Sequence, residues 1–293
     1  MTETFISIAA KTNQGARRNN EDNFIVSSNL ATGTWTFSHG DAYTPLGEYG
    51  ALLVVADGMG GSKAGELASA IAVKTIHDCF TPELLAMAVE SEITIVNFIC
   101  EVIHSADLHI LNIAKSNNEA KGMGTTIVLA WLYDGKAYVS WCGDSRCYVY
   151  NSLRGLAHLT KDHSYVQELI DRGELDPAYA HDHPMANVIS RCLGDDSKKA
   201  TPETRIYDLR HGDILLLCTD GLTSMCSDEK IEHILDDNTA NSAECCNALV
   251  SAALRAGGFD NVTVALCAVS MLDSEEHDDE SRTIRTSVIG RRL

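Results

Sequence analysis

A β-hairpin signal in the middle of the chain constrains the fold more than any other feature. Residues 125–133 (TTIVLAWLY) form an apolar run, Asp134-Gly135 follows, and residues 136–142 (KAYVSWC) form a second run. Asp-Gly tolerates the positive φ angles of a type I′ turn, so the two runs are predicted to pair as antiparallel strands.

Other short apolar runs predict strands on both sides of this hairpin, at residues 5–10, 22–28, 51–56, 147–151, 156–160, 204–209, 213–218 and 261–269. Helical spacing of apolar residues predicts helices over 64–80, 164–172, 227–236, 242–256 and 82–116, the last being one helix or two with Ser91 as a second cap. Hairpin-linked strands with helices in blocks predict an α+β fold, in which antiparallel sheets carry helices on their outer faces.

Composition excludes several classes of function. The 23 Lys and Arg against 41 Asp and Glu give a net charge of −18, so the chain lacks the positive field that nucleic-acid binding requires. The 10 cysteines are too few for a disulfide scaffold, and several lie in apolar runs, which favours buried thiols in a reducing compartment. No signal-peptide pattern opens the chain, and no uncharged apolar run approaches the ~18 residues of a membrane span. A cytoplasmic protein with no nucleic-acid or membrane partner is predicted.

Absent motifs narrow the chemistry further. The chain has no GxxxxGK[ST] phosphate loop, no GxSxG elbow and no HExxH zinc helix. No cysteine is followed by an arginine six positions later, so the loop of cysteine phosphatases is missing as well.

Acidic residues beside glycine recur where predicted strands end. Asp57, Asp144 and Asp220 have this setting, and Asp260 directly precedes the strand at 261–269. Any single Asp-Gly is most simply a turn, but three repeats favour a site. If these ends converge, the carboxylates share a volume that is strongly unfavourable without cations. Oxygen ligands select hard cations such as Mg²⁺ or Mn²⁺.

Residues 15–22 (GARRNNED) complete a pattern that resembles a known family. The chain is similar to the type 2C metal-dependent serine/threonine protein phosphatases of bacteria. Eight segments match in the family's order and cover about residues 3–270: GARRNNED (15–22), VVADGMGGSKAGELAS (54–69), GMGTT (122–126), GDSR (143–146), LTKDHSYVQELI (159–170), HPMANVISRCLG (183–194), CTDGL (218–222) and DNVTV (260–264).

The resemblance implies a four-layer αββα sandwich of two antiparallel sheets and a centre with two tightly bound Mg²⁺ or Mn²⁺ ions and a third, weaker one. It implies that Asp57 bridges two metals and that Arg17 grips the substrate phosphate. The other implied ligands are the carbonyl of Gly58 and the side chains of Asp220, Asp260, Glu21, Asp22 and, for the third metal, Asp144. Two cations would lower the pKa of a shared water and stabilise charge on the phosphoryl oxygens.

Two departures from the family's pattern concern catalysis and substrate binding. Many eukaryotic members have a general-acid histidine where this chain has Met59, so the leaving-group proton must come from metal-bound water or another group. Many bacterial members have an arginine where this chain has Ala186, which puts substrate preference in question. His183 and His181 are candidate substrate contacts nearby, although histidines of surface loops are more often bystanders.

The predicted function is hydrolysis of phosphoserine and phosphothreonine in phosphoproteins, reversing a cognate serine/threonine kinase, by a monomer. Two alternatives stay open: a phosphatase-like sensory domain with little turnover, and a metal-dependent phosphodiesterase. Residues 1–270 are predicted to form the catalytic domain, with a flap-like excursion at about 165–200. Residues 271–293 change from acidic to basic and are predicted to be a disordered tail.

Overall fold

Two antiparallel sheets dominate the computed structural model, which describes residues 2–33, 35, 43–60, 64–197 and 200–273. The strands of these residues are β1 (Thr2–Asn13), β2 (Asp22–Ser27), β3 (Thr44–Pro45), β4 (Ala51–Met59), β5 (Gly124–Thr125), β6 (Ile127–Tyr133), β7 (Lys136–Cys142), β8 (Arg146–Asn151), β9 (Gly155–His158), β10 (Glu203–Asp208), β11 (Ile214–Cys218) and β12 (Val262–Asp273). One sheet has the order β3-β1-β12-β11-β8-β9, and the other has the order β10-β7-β6-β4-β2 with β5 paired to β4.

Helices cover the outer faces of both sheets. They are α1 (Ala64–Cys79), α2 (Pro82–Ala88), α3 (Glu92–Ser116), α4 (Tyr165–Asp171), α5 (Asp220–Thr223), α6 (Asp228–Asp237) and α7 (Ser242–Arg255). Helices α1 and α3 pack on the sheet that contains β4, and α6 and α7 pack on the sheet that contains β12. The result is a four-layer αββα sandwich, and the predicted fold class is confirmed.

Strand β4 is buried on both faces, which explains why its sequence is a continuous apolar run. Leu52 and Val54 belong to the core between this sheet and the helices, whereas Leu53 and Val55 belong to the core between the two sheets. Successive side chains of a strand point to opposite faces, so a strand buried on both faces needs no polar position.

Two local sequence signals, a hairpin turn and a helix cap, predict the observed structure correctly. Asp134 and Gly135 have φ angles of 47° and 71°, and they join β6 to β7 as the hairpin signal predicts. The region 82–116 is two helices, and Ser91 caps the second one through a reciprocal pair of hydrogen bonds with Thr94.

Two strands end later in the structure than the sequence predicts. Strand β4 continues through Asp57 to Met59, so Asp57 lies inside the strand rather than after it. Strand β12 continues to Asp273, because its last residues pair with the start of β1. The folded sheet therefore extends beyond residue 270. The remainder of the predicted tail, 274–293, lies outside the described residues.

Helix α3 is the one described helix whose length and composition would suffice to cross a membrane. Its most apolar window has a mean hydropathy of 1.3 and is 39% buried. Ile95, Ile99, Ile103 and Ile110 lie on one face and are buried in the core beneath the sheet. This spacing is that of an amphipathic core helix.

Candidate metal centre

Five aspartates meet at one end of the sandwich. Asp22 and Asp57 are paired across β2 and β4, Asp144 follows β7, Asp220 follows β11, and Asp260 precedes β12. After burial, the charges on the other four all act on Asp57 to raise its pKa. The convergence that the strand-end pattern predicts is therefore present.

Asp22 is almost fully buried and is only partly satisfied. Its Oδ2 accepts hydrogen bonds from the hydroxyls of Thr219 at 2.9 Å and Thr263 at 2.7 Å. Its Oδ1 is buried and has no hydrogen-bond partner among the described residues. Burial raises the pKa of Asp22 to about 7, although the two hydroxyls act in the opposite direction.

The side chains of Asp57 and Asp220 are hydrogen-bonded to each other, and neither forms a direct ion pair with a described residue. Burial, followed by the charge on Asp22, raises the pKa of Asp57 well above its usual range. Burial and then Asp260 raise the pKa of Asp220, while a hydrogen bond between the side chains of Asp57 and Asp220 opposes them. Such a pair of carboxyl groups shares a proton or accepts a cation.

Asp144 lies in a turn that depends on glycine. Gly143 has a φ of 123°, and a Cβ on it would lie 2.6 Å from the side chain of Thr126. The hydroxyl of Thr126 is 2.7 Å from that of Ser145 and accepts the backbone N–H of Asp57 at 3.0 Å. One buried threonine thus joins the turn of Asp144 to the strand of Asp57. Burial, followed by neighbouring carboxylates, raises the pKa of Asp144 to about 7.

Arg17 lies at the rim of the cluster. Its Nη2 donates to Oδ2 of Asp260 at 2.6 Å, and its side chain is 56% exposed. This hydrogen bond raises the pKa of Arg17. The loop that carries Arg17 packs closely on the start of β12, since a Cβ on Gly15 would lie 2.1 Å from the carbonyl oxygen of Asp260. The arginine is therefore placed beside the acids with its guanidinium facing solvent.

Asn261 holds the loop between β1 and β2. Its Oδ1 accepts the N–H of Glu21 at 2.8 Å, and its Nδ2 donates to the carbonyls of Gln14 at 2.8 Å and Asn19 at 2.9 Å. Burial raises the pKa of Glu21, which lies at the end of this loop. Sequence reasoning missed the role of Asn261, although it lies within the matching segment DNVTV.

Gly58 is enclosed by backbone from two other elements. Its N–H donates to the carbonyl of Glu21 at 3.2 Å, and a Cβ at this position would lie 2.1 Å from the carbonyl oxygen of Gly65. A side chain is therefore excluded here, where the backbone runs alongside Asp57.

Three residues singled out in the sequence, Met59 and the candidate substrate contacts His183 and His181, are not part of the cluster. Met59 pairs with Gly124 across β4 and β5. His183 lies in the excursion with its ring 6.2 Å from that of Tyr165, and no contact within the described residues joins it to the acids. His181 is exposed in the same excursion.

The chemistry of the cluster fits divalent cations. Within the described ranges, no group of three His, Cys, Asp or Glu side chains has a geometry that already fits an ion. The side chains of Asp57 and Asp220 are hydrogen-bonded to each other, and Asp260 is paired with Arg17. The donors are nevertheless oxygens throughout, and the buried Oδ1 of Asp22 has an unused lone pair. Oxygen donors of this charge suit Mg²⁺ or Mn²⁺.

Comparisons with known proteins agree on one family. The family model of protein phosphatase 2C matches residues 40–256. The chain is 36% identical over 215 residues to the serine/threonine phosphatase stp of Listeria monocytogenes, which covers 73% of this chain and 83% of that protein. It is also 36% identical over 229 residues to the protein phosphatase PhpP of Streptococcus pneumoniae, covering 76% and 88% of the two chains.

Solved structures agree with these sequence matches. The Mycobacterium tuberculosis serine/threonine phosphatase PstP/Ppp superposes with a TM-score of 0.75 at 29% identity, covering 91% of this chain and 99% of that one. The catalytic domain of PstP in complex with two manganese ions superposes with a TM-score of 0.72 over the same shares of the two chains, also at 29% identity.

Proposed function

The chain belongs to the protein phosphatase 2C family of metal-dependent serine/threonine phosphatases, and we propose that it hydrolyses phosphoserine and phosphothreonine in proteins at the aspartate cluster. The observation that carries this proposal is the convergence of five aspartates on one end of the sandwich, with Arg17 at their rim. Buried acids without a countercharge need cations, and the exposed arginine provides a site for an anionic substrate.

Two cations are assigned to the centre of the cluster and a third to its edge. Asp57 would hold the central pair, and Asp144 would hold the weaker ion. The remaining donors of the central pair are the carbonyl of Gly58 and the side chains of Asp220, Asp260, Asp22 and Glu21. When bound, Mg²⁺ or Mn²⁺ lowers the pKa of water and neutralises phosphoryl charge.

Arg17 binds the phosphoryl group of the substrate. Its guanidinium is planar and can donate two parallel hydrogen bonds to phosphate oxygens. Arg17 is half exposed, and its guanidinium is paired with Asp260 at the edge of the cluster. Once released from that carboxylate, the guanidinium can contact a phosphate on the solvent side. The substrate therefore enters from the rim, with its phosphate leading.

Proton delivery to the departing serine oxygen cannot involve Met59, whose thioether has no proton to donate. Asp144 lies in the turn after β7, and burial raises its pKa to about 7. We assign proton delivery to the Asp144 side of the site.

The biological setting follows from the same chemistry. Phosphoserine and phosphothreonine arise through a serine/threonine kinase, so such a kinase is the expected opposing partner. The described cysteines are all free, which favours the reducing cytoplasm. One chain supplies every member of the cluster, so a monomer suffices.

The test is turnover of a phosphothreonine peptide by the full chain in Mn²⁺ and in EDTA, compared with the phosphodiester bis-p-nitrophenyl phosphate. We expect peptide turnover that requires Mn²⁺, is lost in Asp57→Asn and greatly exceeds diester turnover. A preference for the diester would favour the phosphodiesterase alternative. Binding of the phosphopeptide without turnover would favour the sensory alternative.

A further inference from the structure

His163 holds both backbone hydrogen-bonding groups of the residue that precedes Asp144. Its N–H donates to the carbonyl of Gly143 at 3.0 Å, and its Nδ1 accepts the N–H of Gly143 at 3.1 Å. His163 is only 4% exposed, and its ring is stacked on Trp141 with 6.1 Å between the ring centroids. A single buried residue therefore holds Gly143 at both of its backbone groups, the carbonyl through the backbone of His163 and the N–H through its ring.

These contacts define the tautomer of the ring. Because Nδ1 accepts a hydrogen bond, a neutral ring carries its proton on Nε2, which donates to Oε1 of Glu203 at 3.1 Å. Burial, followed by the charge of Arg191, lowers the pKa of His163 and so favours the neutral ring. Glu203 thus acts as the orienting acceptor, as a carboxylate does for many functional histidines.

Arg191 connects this arrangement to the excursion. Its Nη1 donates to the same Oε1 of Glu203 at 2.8 Å. The neighbouring residue Ser190 donates its N–H to the carbonyl of His163 at 2.8 Å. Two adjacent residues of the excursion, Ser190 and Arg191, are thus hydrogen-bonded to His163 and Glu203, and His163 in turn contacts the turn of Asp144.

The turn needs support of this kind. Gly143 has a φ of 123° and no side chain of its own to pack, so its peptide orientation depends on outside hydrogen bonds. The Ser145–Thr126 hydroxyl pair supports the other side of Asp144. Functional side chains act well only when their supporting contacts hold them within a few tenths of an ångström.

We propose that His163 is a positioning residue that fixes Asp144 through Gly143, and that Glu203 and Arg191 orient its ring. The inference rests on the proposed function only for its effect on turnover. The hydrogen bonds themselves can be tested without it.

Two substitutions of His163 test the hydrogen bonds of its two ring nitrogens separately. In His163→Asn the amide oxygen lies near the position of Nδ1, so it can accept the N–H of Gly143. In His163→Gln the amide reaches the position of Nε2 instead, which keeps the Glu203 contact and loses that of Gly143. We expect kcat on a phosphothreonine peptide to fall on the order of 10²-fold in His163→Gln, with KM little changed, and to stay near wild type in His163→Asn. His233→Gln, on the exposed side of α6, is the matched control.

A readout without turnover completes the test. In protein kept in EDTA, hydrogen exchange of the peptide that covers Gly143 should be faster in His163→Gln than in wild type and His163→Asn. Glu203→Ala should lower kcat in wild type but not in His163→Asn, whose side chain no longer needs orienting. Equal exchange and equal kcat in the two His163 variants would overturn the proposal. Absence of turnover in wild type with altered exchange would instead contradict the proposed function alone.

Discussion

Asp22 and Asp57 occupy directly paired positions on the antiparallel strands β2 and β4. Like charges at such positions destabilise a sheet, and here burial raises the pKa of both residues as well. Neither carboxylate forms an ion pair with Arg17, which contacts Asp260. The fold therefore contains an unfavourable electrostatic interaction that a divalent cation relieves, so metal affinity and stability are linked.

Replacing Asp22 with asparagine should change how stability depends on pH. The pKa of Asp22 in the folded chain is about 7, against an ordinary value of 3.8, so the folded state binds this proton more tightly than the unfolded chain does. The protonated carboxyl group of Asp22 therefore contributes to the free energy of unfolding. This contribution is fully present below about pH 4 and is lost as the pH rises through about 7. In EDTA, the gain in melting temperature of Asp22→Asn over wild type should therefore grow from pH 4 to pH 7.

Manganese provides the control for this experiment. With Mn²⁺ bound, the wild-type carboxylate is stabilised as an anion, so the advantage of Asp22→Asn should shrink or reverse. An advantage that is independent of both pH and Mn²⁺ would mean that Asp22 acts only through packing.

Arg17→Ala should weaken substrate binding more than chemistry. Loss of a charge-assisted hydrogen bond costs about 1.5–3 kcal/mol, which corresponds to a rise in KM of about 10- to 150-fold for a phosphopeptide. Steady-state kinetics on the purified variant provide the measurement. Arg18→Ala is the matched control, because Arg18 is exposed on the same loop and carries the same charge. An unchanged KM in Arg17→Ala with an intact fold would remove Arg17 from the phosphate site.

The sequence predicts the parts of this site that have a local signal. Asp134-Gly135 predicts a hairpin from turn geometry alone, and the acids Asp57, Asp144 and Asp220 stand beside glycines where apolar runs of the sequence end. Such signals are local, because turn dihedrals and strand periodicity involve residues close together in the chain.

The supporting contacts have no comparable signal. Asn261 holds the loop at Gln14, 247 residues away in sequence, and a buried Thr126 resembles any other strand threonine until the turn at Ser145 packs on it. His163 could equally have been a surface histidine. Their roles arise from tertiary contacts, which residue type and spacing do not encode.

Two truncations should distinguish the contribution of the end of β12 to stability from that of the residues beyond it. Met271 packs at the edge of the core between the sheets, and its N–H donates to Nδ1 of His211 at 3.1 Å. Ending the chain at Ser270 should lower the free energy of unfolding by about 1–2 kcal/mol, the scale of one half-buried methionine. Ending it at Asp273 should leave stability and activity near wild type. Equal stability of the two truncations in denaturant titrations would show that the last strand residues contribute nothing.

Asp144→Ala should separate assembly of the site from turnover. Asp57, Asp220 and Asp260 supply the donors assigned to the two central ions, so their affinity in calorimetric titration should persist, and Gly143 should keep the turn folded. Proton delivery to the departing oxygen should fail, which lowers kcat on a phosphothreonine peptide by roughly 10²–10⁴-fold. The loss should be smaller on p-nitrophenyl phosphate, because nitrophenolate departs without a proton. Equal losses on the two substrates would mean that Asp144 positions the substrate, and loss of the two central ions would place it among their ligands.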